Sequence, residues 1–115
     1  MTKIAFLLML ALLVAVAITD ELPGSRTTRP PFMSLHAIHL AALTYDVDEG
    51  DMLRVAKCET GGTLNPRAVN RSSGAAGLFQ FLLSTWRRTP FRSENRQNAY
   101  ANSLAAGWTV KQDHG

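Results

Sequence analysis

A single cysteine, Cys58, among 115 residues excludes any intrachain disulfide. A nucleophilic role for it is not expected. No third group stands ready to orient a base, and His36, His39 and His114 sit at the far ends of the domain. His36 and His39 are spaced i, i+3 and do not by themselves make a ligand pair, so neither a metal nor a cofactor is expected. Acidic residues are scarce in the second half, where only Glu94 and Asp113 follow Glu59. No stretch alternates apolar and polar residues as a half-buried strand does, and there are no internal repeats. Aromatic residues are not interleaved with the arginines, which excludes a single-strand nucleic-acid platform.

The N-terminus is apolar. Lys3 supplies a short basic start, and residues 4–18 form an uninterrupted apolar run. As a helix that run would reach only about 22 Å, short of a hydrocarbon core about 30 Å thick. Ala15-Val16-Ala17 is a small-residue cleavage pattern. Residues 1–17 therefore read as a signal peptide that exports the chain to the exterior or the cell envelope, with an uncleaved membrane anchor as the alternative. No cysteine near the site offers an acceptor for lipid. Residues 18–33, with the stretch L-P-G-S-R-T-T-R-P-P, read as a flexible leader, which leaves 34–115 as one small domain. In an exported chain the lone Cys58 is expected to be a reduced, buried thiol in a monomer, with pairing between molecules as the alternative.

Charge is unevenly spread. Between residues 54 and 96, eight basic side chains face only Glu59 and Glu94. A basic middle suits an anionic partner such as a cell-wall polymer or a membrane surface, and export disfavours nucleic acid.

Helical periodicity organises the domain, so the fold class is mostly α. Ser34 reads as the N-cap of a helix with Leu35, Ile38, Ala41/Ala42 and Tyr45 on one face. Asp48 reads as the next N-cap, with Asp51 as its capping-box partner and Met52, Val55, Ala56 and Glu59 on a single stripe. A carboxylate in that stripe is expected to face the core or a cleft. Both desolvation and the negative end of the helix favour its protonated form, the form a general acid needs. The competing reading is a surface glutamate in a last turn capped by Gly61 and Gly62. Residues 60–76 carry turn chemistry at a length that is often functional. Ser84-Thr85-Trp86 opens a short helix that stops before Pro90. Ser93 or Asn98 caps a last helix with Ala101, Leu104, Ala105 and Trp108 on one face.

Several short signals now stand in one order. The segment R-V-A-K-C-E-T-G-G is followed by L-N-P-R-A-V-N, then by S-G-A-A-G-L-F-Q-F-L-L-S-T-W, then by N-A-Y-A-N-S-L-A-A-G-W. This series resembles the soluble lytic transglycosylases, and in particular their small secreted, resuscitation-promoting-factor-like members. The resemblance covers about residues 35–110. It implies a lysozyme-like helical fold and cleavage of the β-1,4 bond between N-acetylmuramic acid and N-acetylglucosamine in peptidoglycan glycan strands. By position Glu59 would be the catalytic residue, acid and then base. Gln80, with Gly77 and Leu78, would line the sugar cleft, and Asn102 would match a family asparagine on the later helix. Tyr100 stands as candidate for the tyrosine that larger relatives place beside the glutamate. Trp86 and Trp108 read as core.

The chain departs from the family at Leu83, where a proline often precedes S-T-W. It also has no second cysteine to pair with Cys58. Glycoside cleavage usually takes two carboxyl groups, and the resemblance implies a scheme with one. Glu59 protonates the leaving oxygen, then deprotonates the muramic C6 hydroxyl, which closes a 1,6-anhydro ring. Water as nucleophile would make the same site a muramidase. The reading from a different class is a wall-binding module that keeps the cleft without turnover.

Overall fold

The computed structural model describes residues 29–114. Within them the chain forms four helices: α1 (Arg29–Tyr45), α2 (Glu49–Glu59), α3 (Leu83–Trp86) and α4 (Ala99–His114). The signal segment and most of the leader lie outside these residues. Among the described residues there is no strand, only isolated antiparallel bridges at Val69–Ala76 and Ala76–Phe81. No helix among them is long and apolar enough to cross a membrane.

Helix α1 opens at Arg29 and takes Pro30 and Pro31 into its first turn, where a missing N–H costs no intrahelical bond. Ser34 is accordingly not the N-cap. It is buried inside the helix, where its hydroxyl donates to the Leu64 carbonyl at 2.7 Å. The buried face is Ser34, Ala37, Ile38, Ala41 and Ala42, while Leu35 stands exposed with Phe32, Leu40 and Leu43. Small residues thus take the inside because α1 lies close against α4. A Cβ added at Gly107 would come within 2.9 Å of the Tyr45 ring.

Helix α2 is capped as its sequence says. The Asp48 carboxylate accepts from the Gly50 and Asp51 N–H groups at 2.8 and 3.3 Å. Asp51 does not complete a capping box; its carboxylate pairs with Arg54. The helix ends in a Schellman motif. The Gly61 N–H donates to Cys58 and the Gly62 N–H to Lys57, with Gly61 in the left-handed region at φ 63°.

Helix α4 is the centre of the domain. The Asn98 carboxamide oxygen caps it by accepting from the Ala101 N–H at 3.0 Å. Ala101, Asn102, Ser103, Ala105 and Ala106 are all buried. Trp86 is buried at the end of α3, its ring edge-on to Phe81 at 5.4 Å and its indole N–H donating to the Glu94 carbonyl. The core residues thus come from α1, α2, α4 and the loop that carries α3.

Candidate active site

Glu59 is the last residue of α2, and everything around its backbone is fixed. The Schellman bonds hold the helix end. Thr60 is buried, with its hydroxyl donating to the Ala56 carbonyl and accepting from the Leu64 N–H at 2.9 Å. The side chain itself is exposed, as is that of Val55. The buried stripe of α2 is Met52 and Ala56, continued by Thr60 and flanked by half-buried Leu53, which turns Glu59 out of the core. The expected burial of Glu59 is therefore corrected, and the competing reading describes its position: a surface glutamate in a last turn capped by Gly61 and Gly62. Its carboxylate forms no hydrogen bond or ion pair among the described residues.

Cys58 is likewise exposed, against the expected buried thiol. Lys57, Cys58 and Glu59 are all exposed at the end of α2. A bulky thiol reagent is expected to label the native protein about as fast as it labels the urea-unfolded chain. Strong protection in the native state would contradict the exposed position.

The loop from Thr63 to Leu82 satisfies part of its backbone with turn bonds and isolated bridges, and side chains take up much of the rest. Asn102, fully buried on α4, is the main bracket. Its oxygen accepts from the Phe79 N–H at 2.8 Å, and its amide nitrogen donates to the carbonyls of Arg96 at 2.8 Å and Ala76 at 3.2 Å. Gly77, at φ 89°, lies against that amide, and the Asn102 Cγ would be 2.8 Å from a Cβ placed there. The glycine is thus needed for the loop to reach α4, and no space for a glycan lies over it. Leu78 is buried in the core. Arg96 adds a second clamp, donating to the carbonyls of Gly74 and Phe81.

Gln80 is half-buried, in the left-handed region at φ 52°. Its amide nitrogen donates to the Ala68 and Gly77 carbonyls at 3.0 and 2.8 Å. Its donors therefore serve the loop, and only its oxygen remains for a sugar. Tyr100 is half-buried on α4; its hydroxyl meets His36 Nδ1 at 2.9 Å, with the two rings edge-on. His39 Nδ1 meets the Glu49 carboxylate at 2.6 Å. No group of three or more His, Cys, Asp or Glu side chains is placed to hold a metal among the described residues.

Of the expected cleft residues, Gly77, Leu78, Gln80 and Asn102 are gathered at one place, as the packed layer under the loop. Tyr100 instead borders an open cavity of about 500 Å³, shared with Met33, Asn65, Arg67, Gln97 and Asn98. The sequence reading missed that cavity. Asn65 and Asn98 line it, each placed two or three residues before a backbone N–H that it accepts from. No known family model matches the chain, and neither a curated protein nor a solved structure matches it.

Proposed function

We propose that this chain is a peptidoglycan lytic transglycosylase that cuts the glycan strand with Glu59 as its one acid–base group. The observation that carries the reading is Glu59 itself. It is a carboxylate on a rigid, Schellman-capped helix end, open to solvent and free of any partner among the described residues. It stands in the E-T-G-G context that resembles the transglycosylases. A glycan strand is a polymer, and an exposed residue can be reached along its length without a lid opening. Its backbone is held by the helix cap, and its carboxyl is open to the approach of a substrate. The balance of the reaction is closed by the substrate. Glu59 gives its proton to the glycosidic oxygen, and the N-acetyl group steadies the cation at C1. The Glu59 carboxylate then takes the C6 hydroxyl proton as that oxygen bonds C1. Gln80 and Asn102 contribute by holding the loop in place, with the Gln80 oxygen left to accept from a sugar hydroxyl.

Mass spectrometry of the products from purified peptidoglycan tests this. The expected product is a 1,6-anhydro muropeptide, lighter by one water than a hydrolysis product. Reducing-end products in its place would make the enzyme a muramidase. No release at all from wall that the protein sediments with would make it a binding module.

A further inference from the structure

The cavity beside Tyr100 adjoins a second one of about 380 Å³, and the two share Arg67, Gln97 and Asn98. Together they form a trough with two limbs. One limb is walled by Met33, Pro66 and the Tyr100 ring; the other is walled by Arg67, Asn95, Gln97 and Asn98. No acidic side chain lines either limb.

Arg67 is held unusually well for an exposed residue. Its N–H donates to the Asn65 side-chain oxygen at 3.0 Å, and its carbonyl accepts from the Gln97 amide at 2.9 Å. Two side chains thus fix its backbone, yet its guanidinium meets no carboxylate among the described residues. Arg96, by contrast, spends its guanidinium on loop carbonyls. The asparagine amides around Arg67 are polarised the same way. Asn65, Asn95 and Asn98 each turn the side-chain oxygen to a backbone N–H, of Arg67, Gln97 and Ala101 respectively. Each of these oxygens already accepts one bond, and each NH₂ group is left for a ligand; Gln97 is the reverse, with its NH₂ given to the Arg67 carbonyl and its oxygen left as an acceptor. Arg67, which has donors only, and the NH₂ groups of Asn95 and Asn98 make this limb richer in donors than in acceptors, beside one positive charge.

We propose that this trough binds the carboxylate of a short acidic peptide carried on the glycan, with Arg67 as its anchor. The assignment rests on the peptidoglycan reading above. The donor limb suits an oxyanion, and the adjoining limb of methionine, proline and tyrosine suits the methyl and methylene groups of a peptide. That second limb favours a peptide carboxylate over a phosphate-linked polymer, which has little apolar surface to place there.

The test is a titration of the whole protein, followed by backbone amide NMR, with N-acetylmuramoyl-L-alanyl-D-glutamate, an unsubstituted N-acetylglucosamine tetramer, and glycerol phosphate. The expected result is that the muropeptide shifts the amides of Arg67, Gln97 and Asn98 more than the other two probes do. Arg67→Ala should weaken that binding about tenfold, the loss of one hydrogen-bonded charge, and Arg67→Lys should recover part of it. Unchanged affinity in Arg67→Ala, equal shifts with the tetramer, or tighter binding of glycerol phosphate would each overturn the proposal. The cleavage assignment is read separately from Glu59→Gln turnover. A fully active Glu59→Gln would remove that assignment, while the titration would still report on Arg67.

Discussion

Glu59→Gln is expected to lower glycan release from peptidoglycan by about 10²-fold or more while leaving the melting temperature nearly unchanged. The two halves of that expectation have separate causes. Glutamine keeps the size and polarity of the side chain but can neither give nor take the proton that both halves of the reaction need. The stability half follows from the exposed position: Glu59 makes no side-chain bond among the described residues, and the helix end is held by backbone groups of Lys57, Cys58, Gly61 and Gly62. Surface substitutions of that kind are usually worth within about 0.5 kcal/mol. Release assays and thermal melts on the same preparations decide it. Retained turnover would end the acid assignment. A fall in turnover matched by a large fall in melting temperature would mean that the residue is structural.

The helices were legible in the sequence, but their inner faces were legible only in part. Asp48 as a cap, Gly61 as a terminator, Trp86 in the core and Asn98 as the last cap all follow from local chemistry that acts within one turn. Faces depend on the partner helix. The stripe expected on α1 holds at Ile38 and Ala41/Ala42, but Leu35 is exposed and Ser34 and Ala37 complete the inside, because close approach of two helices selects small side chains over greasy ones. The same slip in α2 replaces Val55 and Glu59 by Thr60, a polar residue whose hydroxyl is fully used inside. A period of 3.6 tolerates such a rotation of one residue, and it leaves the candidate acid on the surface.

The amides were misread for a related reason. The resemblance places Gln80 and Asn102 at the sugar cleft, Gln80 also because a carboxamide can both donate and accept. A long loop without strands, however, leaves carbonyls and N–H groups that must be bonded from within, and these two side chains supply that. Nothing in the spacing of either residue distinguishes a group bonded to the loop from one aimed outward. Only the placement of residues 76–80 against α4 makes the distinction.

That placement carries the largest expected effect on stability. Gly77→Ala should destabilise the domain by about 4 kcal/mol or more, a large share of the 5–15 kcal/mol typical of small domains. Two costs combine at this position. The backbone sits at φ 89°, where an L side chain is strained, and a Cβ there would overlap the Asn102 amide nitrogen and the Arg96 carbonyl oxygen. Neither neighbour can yield cheaply. Asn102 is buried and bonded to three backbone groups, and the Arg96 oxygen belongs to the chain that leads into α4. Gly74 is the matched control, since its φ is 78° but no atom lies within 4 Å of the position a Cβ would take. Gly74→Ala should therefore show the backbone strain alone, about 1–2 kcal/mol. Urea melts of the two variants separate the contributions, and the difference between them measures how tightly the loop is held on α4. Equal losses would mean that the loop does not rest on Asn102, and the bracket that holds residues 77–80 on α4 would have to be abandoned.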